Sequence, residues 1–382
     1  MTLPKAADYV IIGGGMAGCA LSYYLAKAGE RDVVVLERDT ICSGSTARCG
    51  GGIRAQWGLE FNARLAIRSI ELFEGLAEEL QADIELDQVG YLLAAYGDEE
   101  MAQFDRNVAL QRSVGIDTQY LTYRQVQEKI PGVNAADATG FVFHGRDGTG
   151  NPFLTTFAYR EAAQRLGVKF FKYTPVTGIV VEHNRAKAVV SERGEVEARK
   201  KIVNCAGVWG GKIGEMAGLD LPIRPERRMT TVTEPVETDV CRTVFMSISH
   251  KYYFVQHTNG TIVIEYNRPG DVTWSYEATE ENLCRQAKSI VDVLPRTRDV
   301  RIVRHFAGSY DLTPDENPLI GESDVENFYL SCGYSGHGFM LGPISALLAS
   351  QDILGERPEI DIGCYDYRRF ERGEAIMDPN HA

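Results

Sequence analysis

Three glycines near the start of the chain, Gly13, Gly15 and Gly18, stand at the spacing that brings a backbone close to a pyrophosphate. The first glycine of this pattern permits a tight turn, the second admits the phosphates, and the third lets the next helix pack against the sheet. Glu37 ends a second apolar segment about 20 residues later, where a carboxylate can accept both hydroxyls of a ribose. We therefore predict a dinucleotide site that disfavours a 2′-phosphate.

Two further glycine-rich segments could complete this site. In residues 42–54, the hydroxyl residues Ser43, Ser45 and Thr46 stand in a loop that can present several N–H groups to the second edge of the pyrophosphate. Residues 336–338 precede a helical pattern, so their backbone donors and the positive end of the helix can face an anionic group.

Hydrophobic spacing and turn signals predict the elements that position these residues. Apolar residues recur at helical spacing over residues 59–81, and Asn151-Pro152 is typical of a helix start. Asn259-Gly260, between two strand-like segments, indicates a β-hairpin.

The same patterns predict two domains, a doubly wound α/β dinucleotide-binding domain and a mainly antiparallel α+β domain that interrupts it twice and that the resemblance described below identifies as substrate-binding. The first is predicted at residues 1–85, 145–220 and 305–382, and the second at residues 86–144 and 221–304.

Composition argues against several classes of protein. A net charge of −13 disfavours nucleic acid or an anionic membrane as the main partner. The eight cysteines form no C-x-x-C pair and no zinc-type cluster with histidine, so no metal site is predicted. No apolar segment approaches the roughly 20 residues that span a bilayer, and no signal-peptide pattern precedes Asp8. We predict a cytoplasmic location.

Five sequence blocks resemble the FAD-dependent amino-acid oxidase family, which includes glycine oxidase, sarcosine oxidase and D-amino-acid oxidase. They follow the family's order and comprise residues 13–18 with Glu37, 43–54, 203–209, 307–321 and 333–338. Residues 48–54 and 368–374 look most similar to beta subunits of heteromeric L-proline dehydrogenases, and next to sarcosine oxidase beta subunits. The resemblance implies a Rossmann-like FAD-binding domain of the glutathione-reductase type beside the substrate domain.

The motifs and the resemblance together assign contacts with FAD along the whole chain. The assigned residues are Gly13, Gly15, Met16, Ala17, Gly18, Glu37, Arg38, Ser43, Gly44, Ser45, Thr46, Gly51, Gly52, Val176, Ala206, Gly207, Trp209, Gly308, Gly336, His337, Gly338 and Met340. Some relatives attach FAD through a histidine at the position of Arg48, and others through a cysteine at the position of Gly308. Because this chain has neither the histidine nor the cysteine at those two positions, we predict that FAD is bound without a covalent link.

The resemblance also implies a substrate that carries a carboxylate beside an amine. Arg54 matches the arginine that clamps this carboxylate in the sarcosine oxidase branch, although it could instead form a structural pair with an acidic neighbour. The family's second anchor, a lysine, is replaced by Met340. Other cations could contribute, namely Arg48, Arg227, Arg228 and Arg268.

Tyrosines on the predicted hairpin, Tyr252, Tyr253 and Tyr266, cover the active site according to the resemblance, where they could bond the carboxylate or simply pack in the core. His337 either donates towards the flavin or is a structural turn residue. The resulting catalytic assignments are Arg54, His337, Tyr252 and Tyr266. Monomeric oxidases place a lysine over the flavin to help reduce oxygen. Its apparent counterpart, Val263, favours a dehydrogenase.

The implied reaction is oxidation of the C–N bond of a secondary-amine amino acid, such as sarcosine, iminodiacetate or proline, by hydride transfer to flavin N5. The resulting imine would then hydrolyse. Two alternatives stay open: glycine oxidase-like deamination of a primary amino acid, and a flavin subunit that depends on a partner. The expected partners are a small amino acid and either further copies of the chain or a different subunit, not nucleic acid or a membrane.

Overall fold

Two eight-stranded sheets and their covering helices dominate the computed structural model, which describes residues 2–236, 239–266 and 270–379. The strands are β1 (Ala6–Ile12), β2 (Val33–Leu36), β3 (Gly52–Ile53), β4 (Tyr91–Ala95), β5 (Gln119–Leu121), β6 (Gly140–His144), β7 (Gly148–Thr149), β8 (Lys169–Phe171), β9 (Val176–Glu182), β10 (Arg185–Ser191), β11 (Gly194–Asn204), β12 (Arg224–Thr233), β13 (Val244–Ser247), β14 (Tyr252–Gln256), β15 (Ile262–Tyr266), β16 (Ile302–Leu312), β17 (Leu319–Glu322) and β18 (Phe328–Cys332). The helices are α1 (Met16–Lys27), α2 (Glu60–Leu80), α3 (Asp98–Ser113), α4 (Tyr123–Lys129), α5 (Pro152–Arg165), α6 (Gly210–Met216), α7 (Glu280–Val293) and α8 (Gly338–Ile353).

The first sheet has the strand order β17-β18-β11-β1-β2-β8. Its central strand β1 pairs in parallel with β2 and β11, while β9 and β10 extend the sheet from β11 as antiparallel strands. All four residues of β2 are buried and alternate between two hydrophobic clusters on opposite faces. This burial on both faces explains why β2 reads as a continuous apolar segment.

The second sheet has the order β16-β12-β15-β14-β13-β4-β6-β5 and is antiparallel except between β4 and β13. The predicted hairpin is confirmed, because β14 and β15 pair around the turn at Asn259 and Gly260. Gly260 has φ of +85°, which glycine adopts without a steric penalty.

Two predicted helices are also confirmed. Helix α2 runs from Glu60 to Leu80, and the Oδ1 atom of Asn151 caps α5 by accepting from the N–H groups of Phe153 and Leu154. Pro152 takes the first helical position, where its missing N–H costs no hydrogen bond.

Strand β16 crosses the predicted domain boundary at residue 305. It pairs with β12 along its whole length, so the second sheet includes part of the segment assigned to the dinucleotide-binding domain. None of the helices within the described ranges has the length and apolar character needed to cross a membrane.

Candidate functional site

One cavity of about 650 Å³ lies where loops of the first sheet meet strands of the second. Every residue that the sequence assigned to FAD lines this cavity, with the exception of Gly18. Arg54 also lines it. Folding therefore brings the widely separated glycine-rich segments to one place.

The glycine turn after β1 has the geometry that the sequence predicts. Gly13 has φ of +111°, and a side chain there would overlap the carbonyl group of Cys205. A side chain at Gly18 would overlap the Gly13 carbonyl, so Gly18 permits close packing of α1 and does not itself reach the cavity. Helix α1 begins without a side-chain cap, and its Met16 N–H lies 3.3 Å from Thr46 Oγ1.

Glu37 closes this part of the cavity. Its Oε2 accepts from the N–H of Gly14 at 2.7 Å, and its Oε1 accepts from the N–H of Asp39 at 2.8 Å. Burial raises the pKa of Glu37, although these two N–H donors partly oppose the effect. Each carboxylate oxygen has a further lone pair with which it can accept a ribose hydroxyl.

Beyond Glu37 the cavity is lined by Arg38, Val176 and Trp209. The guanidinium carbon of Arg38 lies 3.9 Å from the centroid of the Trp209 ring. A flat guanidinium on an aromatic ring leaves a planar surface that suits the adenine end of FAD. The N-terminus of α1, Glu37 and the glycine turn at Gly13 and Gly15 thus fit a dinucleotide in this cavity.

Hydrogen bonds from Arg48 and Ser45 hold the loop after β2 in its conformation. Arg48 donates to the carbonyl oxygens of Ser43 and Gly44, and Ser45 Oγ donates to the carbonyl of Ser309 at 2.6 Å. A side chain at Gly308 would approach within 3.0 Å of Arg48 Cβ, so glycine gives the arginine room.

The cavity contains two thiols, and neither is activated. Burial raises the pKa of both Cys49 and Cys205 to about 12. Since the thiolate is the nucleophilic form, both side chains are unreactive near neutral pH.

Arg54 is the buried cation of the site, with 2% of its surface exposed. Its Nη1 donates to the carbonyl of Gln56 at 2.8 Å, and its guanidinium carbon lies 4.9 Å from the Trp57 ring centroid. Burial lowers the pKa of Arg54, but an arginine side chain remains charged in proteins. Arg54 is therefore a fixed positive charge at the cavity wall.

The tyrosine assignment on the hairpin was wrong in one respect. Tyr253 lines the cavity, whereas Tyr252 lies on the opposite face of the sheet. There the Tyr252 hydroxyl bonds that of Tyr96 at 3.0 Å, and its ring stacks on Phe254 with centroids 5.1 Å apart. Successive side chains of a strand point to opposite faces, so only one of the two neighbours could reach the site.

The third hairpin tyrosine is described only in part. The backbone of Tyr266 pairs with that of Tyr252, but the Tyr266 side chain lies outside the described residues, as does Arg268. Tyr91, which no sequence pattern indicated, lines the cavity beside Tyr253, with their hydroxyl oxygens 3.4 Å apart.

His337 lies at the N-terminus of α8 and lines the cavity, with its ring edge-on to Trp57 at 4.7 Å between centroids. Helix α8 also begins without a side-chain cap. Met340 lines the cavity in its first turn. These positions agree with the predicted backbone donors but do not assign His337 a role.

Of the other proposed cations, Arg228 lines the cavity and forms an ion pair with Glu226 Oε1 at 2.6 Å. Arg227 instead pairs with Asp271 and donates to the carbonyl of Glu277 at 3.0 Å. Because these acceptors hold Arg227 away from the cavity wall, it is not placed at the site.

Glu265 is the main cavity residue that no sequence pattern indicated. It lines the cavity and accepts a hydrogen bond from Thr230 Oγ1 at 2.9 Å. Val263, two residues earlier on the same strand face, packs in a hydrophobic cluster with Met246 and Val255. A charged residue in an otherwise apolar strand was the available signal, but alternation alone does not show which position reaches a cavity.

Comparison with known proteins agrees with this geometry. A family model described as DAO, FAD dependent oxidoreductase, matches residues 8–351. A solved L-proline dehydrogenase from P. horikoshii shares 33% sequence identity and superposes with a TM-score of 0.94, covering 98% of this chain and 100% of that one.

Two relatives align with similar fractions of this chain but with different fractions of their own length. Sarcosine oxidase subunit beta of Arthrobacter sp is 29% identical over 97% of this chain and 93% of its own length. Mitochondrial sarcosine dehydrogenase of Mus musculus is 28% identical over 96% of this chain, which spans only 42% of that protein. The predicted family, fold class and cofactor are thereby confirmed. Matched over most of its length, the chain belongs to the DAO family of FAD-dependent oxidoreductases.

Proposed function

We propose that the protein oxidises the C–N bond of an amino acid with a secondary amine, either an N-alkylglycine such as sarcosine or iminodiacetate, or proline. The product is an imine that hydrolyses in water. The observation that carries this proposal is the position of Arg54, a buried cation in the cavity that also contains the predicted FAD contacts. The names of two relatives, L-proline dehydrogenase and sarcosine oxidase subunit beta, support the choice of a secondary amine.

The chain's own residues provide binding and orientation. Arg54 can hold the substrate carboxylate through two parallel N–H donors, which fixes the direction of the α-carbon. Tyr253 and Tyr91 place hydroxyl groups at the same wall, where they can bond that carboxylate and exclude water. FAD, when bound, supplies the two-electron acceptor.

An anaerobic screen of the FAD-loaded protein tests this function. Sarcosine, iminodiacetate, other N-alkylglycines, proline, glycine and D-amino acids are mixed with it, and loss of the oxidised flavin absorbance is followed. We expect rapid bleaching with at least one secondary amine and slow bleaching with glycine. Bleaching by glycine with release of ammonia would favour deamination of a primary amine. No bleaching by any of these compounds would contradict the proposal and favour a subunit that depends on a partner.

Two adjacent tyrosines offer a matched test of the site. We expect Tyr253→Phe to lower kcat/KM about tenfold, because a hydrogen bond to a charged group contributes roughly 1.5 kcal/mol or more. Tyr252→Phe removes the same atom from the opposite face of the sheet, so kcat/KM should stay within about twofold while stability falls by roughly 1 kcal/mol. Steady-state kinetics and urea unfolding measure the two effects. Equal loss of activity in both variants would contradict the assignment.

We propose that FAD is bound without a covalent link, because Arg48 and Gly308 replace the attachment residues and the cavity thiols are protonated. After precipitation with trichloroacetic acid, the flavin is expected in the supernatant. Yellow colour and flavin fluorescence retained in the washed pellet would show the opposite.

A further inference from the structure

We propose that Glu265 accepts the proton of the substrate's ammonium group and so prepares the amine for oxidation. This inference rests on the proposed function, because it needs an amino acid held by Arg54. The sequence patterns did not indicate that Glu265 lines the cavity, and only the folded chain shows it.

Glu265 lies in the part of the cavity that Tyr91 and Tyr253 also line, which we call the substrate end. A side-chain carbon at Gly50 would be 3.3 Å from the Tyr253 hydroxyl and 3.6 Å from Glu265 Oε1, so these two groups approach the same point of the loop. Tyr253 also contributes to the electrostatic environment of Arg54. The half-buried acid and the buried guanidinium therefore both lie near Tyr253.

The charges at this end of the cavity complement a zwitterion. Arg54 offers a positive charge for a carboxylate, and Glu265 offers a negative charge for an ammonium group. In the cavity, where water is limited, such a pair discriminates strongly in favour of a ligand with the opposite arrangement. An amino acid in its ordinary ionic form has that arrangement.

A purely structural role explains Glu265 less well. Among the residues that the structure describes, Thr230 provides its one hydrogen bond. Its half-buried carboxylate keeps lone pairs that can accept further hydrogen bonds. A substrate ammonium would supply such donors.

The groups facing Glu265 allow it to act alone as a proton acceptor. Tyr91, Tyr253, Tyr310 and Cys49 all have a pKa raised by burial, and Glu265 raises each of them further. They therefore stay neutral near pH 7. Burial raises the pKa of Glu265 itself, while the Thr230 hydroxyl and the charge of Arg228 lower it.

The proposed step is a simple proton transfer. An N–H bond of the ammonium breaks, an O–H bond forms on Glu265, and the electron pair remains on nitrogen. The neutral amine can then stabilise the positive charge that develops as the α-carbon loses its hydride, whereas an ammonium group cannot. The proton returns to solvent after the product leaves.

The pH dependence of Glu265→Gln tests this step. Without an internal acceptor, the variant must bind the small fraction of substrate whose amine is already neutral. We expect kcat/KM to fall about 10²–10³-fold at pH 7, as for loss of a general base, and to recover to within about tenfold of wild type at pH 10. Glu265→Asp, which keeps a carboxylate, should retain the wild-type shape of the pH profile.

Glu226→Gln is the matched control. Glu226 is a buried carboxylate that pairs with Arg228 but does not line the cavity, so the profile of this variant should run parallel to that of wild type. An equal loss at pH 7 and pH 10 in Glu265→Gln would overturn the inference, since it would indicate a structural effect. The proposed function would still stand if wild type is bleached by a secondary amine.

Binding of unreactive ligands gives a second readout. α-Aminoisobutyrate has no α-hydrogen, and isobutyrate has the same carbon skeleton without the amine, so neither can be oxidised at a C–N bond. Titration against the flavin absorbance should show about tenfold weaker binding of α-aminoisobutyrate to Glu265→Gln, and little change for isobutyrate. Equal changes for both ligands would contradict recognition of the ammonium group.

Discussion

Replacing Arg54 by methionine is expected to lower kcat/KM about 10³-fold, and replacing it by lysine about 10²-fold. Losing one partner of a buried, hydrogen-bonded charge pair costs roughly 2–5 kcal/mol. Lysine retains the charge but lacks the planar fork that holds a carboxylate through two N–H donors. Steady-state kinetics on the substrate identified by the bleaching screen measures both variants.

The flavin content and absorbance of the Arg54 variants should match those of wild type. Arg64→Met serves as the control, because Arg64 lies on the surface of α2 and pairs with Glu60. Its kcat/KM should stay within about twofold of wild type, as expected for an exposed ion pair. Unchanged kinetics in Arg54→Met would show that the carboxylate binds elsewhere.

Replacing Arg369 by leucine is expected to destabilise the protein by about 3–5 kcal/mol, because it leaves the buried Asp315 carboxylate without its partner. Arg369 Nε and Nη2 donate to Asp315 at 2.7 and 2.8 Å, and both residues are at most 1% exposed. Arg369 also donates to the carbonyl of Asn317 at 2.9 Å. The pair thus ties the C-terminal segment to the loop after β16.

Arg368→Leu is the control for this prediction. The neighbouring Arg368 is 39% exposed and pairs with Asp366 and Asp324 on the surface, so its loss should cost about 1 kcal/mol or less. Urea unfolding of both variants gives the comparison. An equal fall in the free energy of unfolding of the two variants would show that the buried ion pair stabilises the protein no more than the exposed one.

The effect of Arg369→Leu should depend on pH. Burial opposes ionisation of Asp315, but the hydrogen bonds from Arg369 and the Ile376 N–H outweigh it and lower its pKa from 3.8. A lowered native pKa stabilises the fold above the unfolded pKa, and this contribution is lost as pH falls through the native value. In the variant, burial without Arg369 raises the pKa of Asp315, so the difference between wild type and variant should be largest near pH 7 and shrink steadily as pH falls and the carboxyl protonates.

Local sequence signals predicted much of the FAD-binding half. The turn at Gly13, the acid at Glu37 and the capped start of α5 depend on backbone conformation and short-range hydrogen bonds. Such features are set by a few neighbouring residues. They can therefore be recognised without knowledge of the rest of the fold.

The substrate end was harder to predict, because it depends on which strand face each side chain takes and on contacts between distant segments. Tyr252 and Tyr253 have the same chemistry, and only the pleat of β14 directs Tyr253 into the cavity. Glu265 gains its environment from Thr230 and Arg228 on the adjoining β12.

The sequence by itself therefore determined the glycine turn, the acid at the end of β2, the hairpin and the family. Those features depend on local backbone geometry and on short motifs that can be recognised in the sequence. Tertiary structure alone decided which hairpin tyrosine lines the cavity, that Glu265 lines the same cavity as Arg54, and that Arg369 is buried against Asp315. Strand pairing and side-chain burial set these relations, and both depend on residues far apart in the sequence.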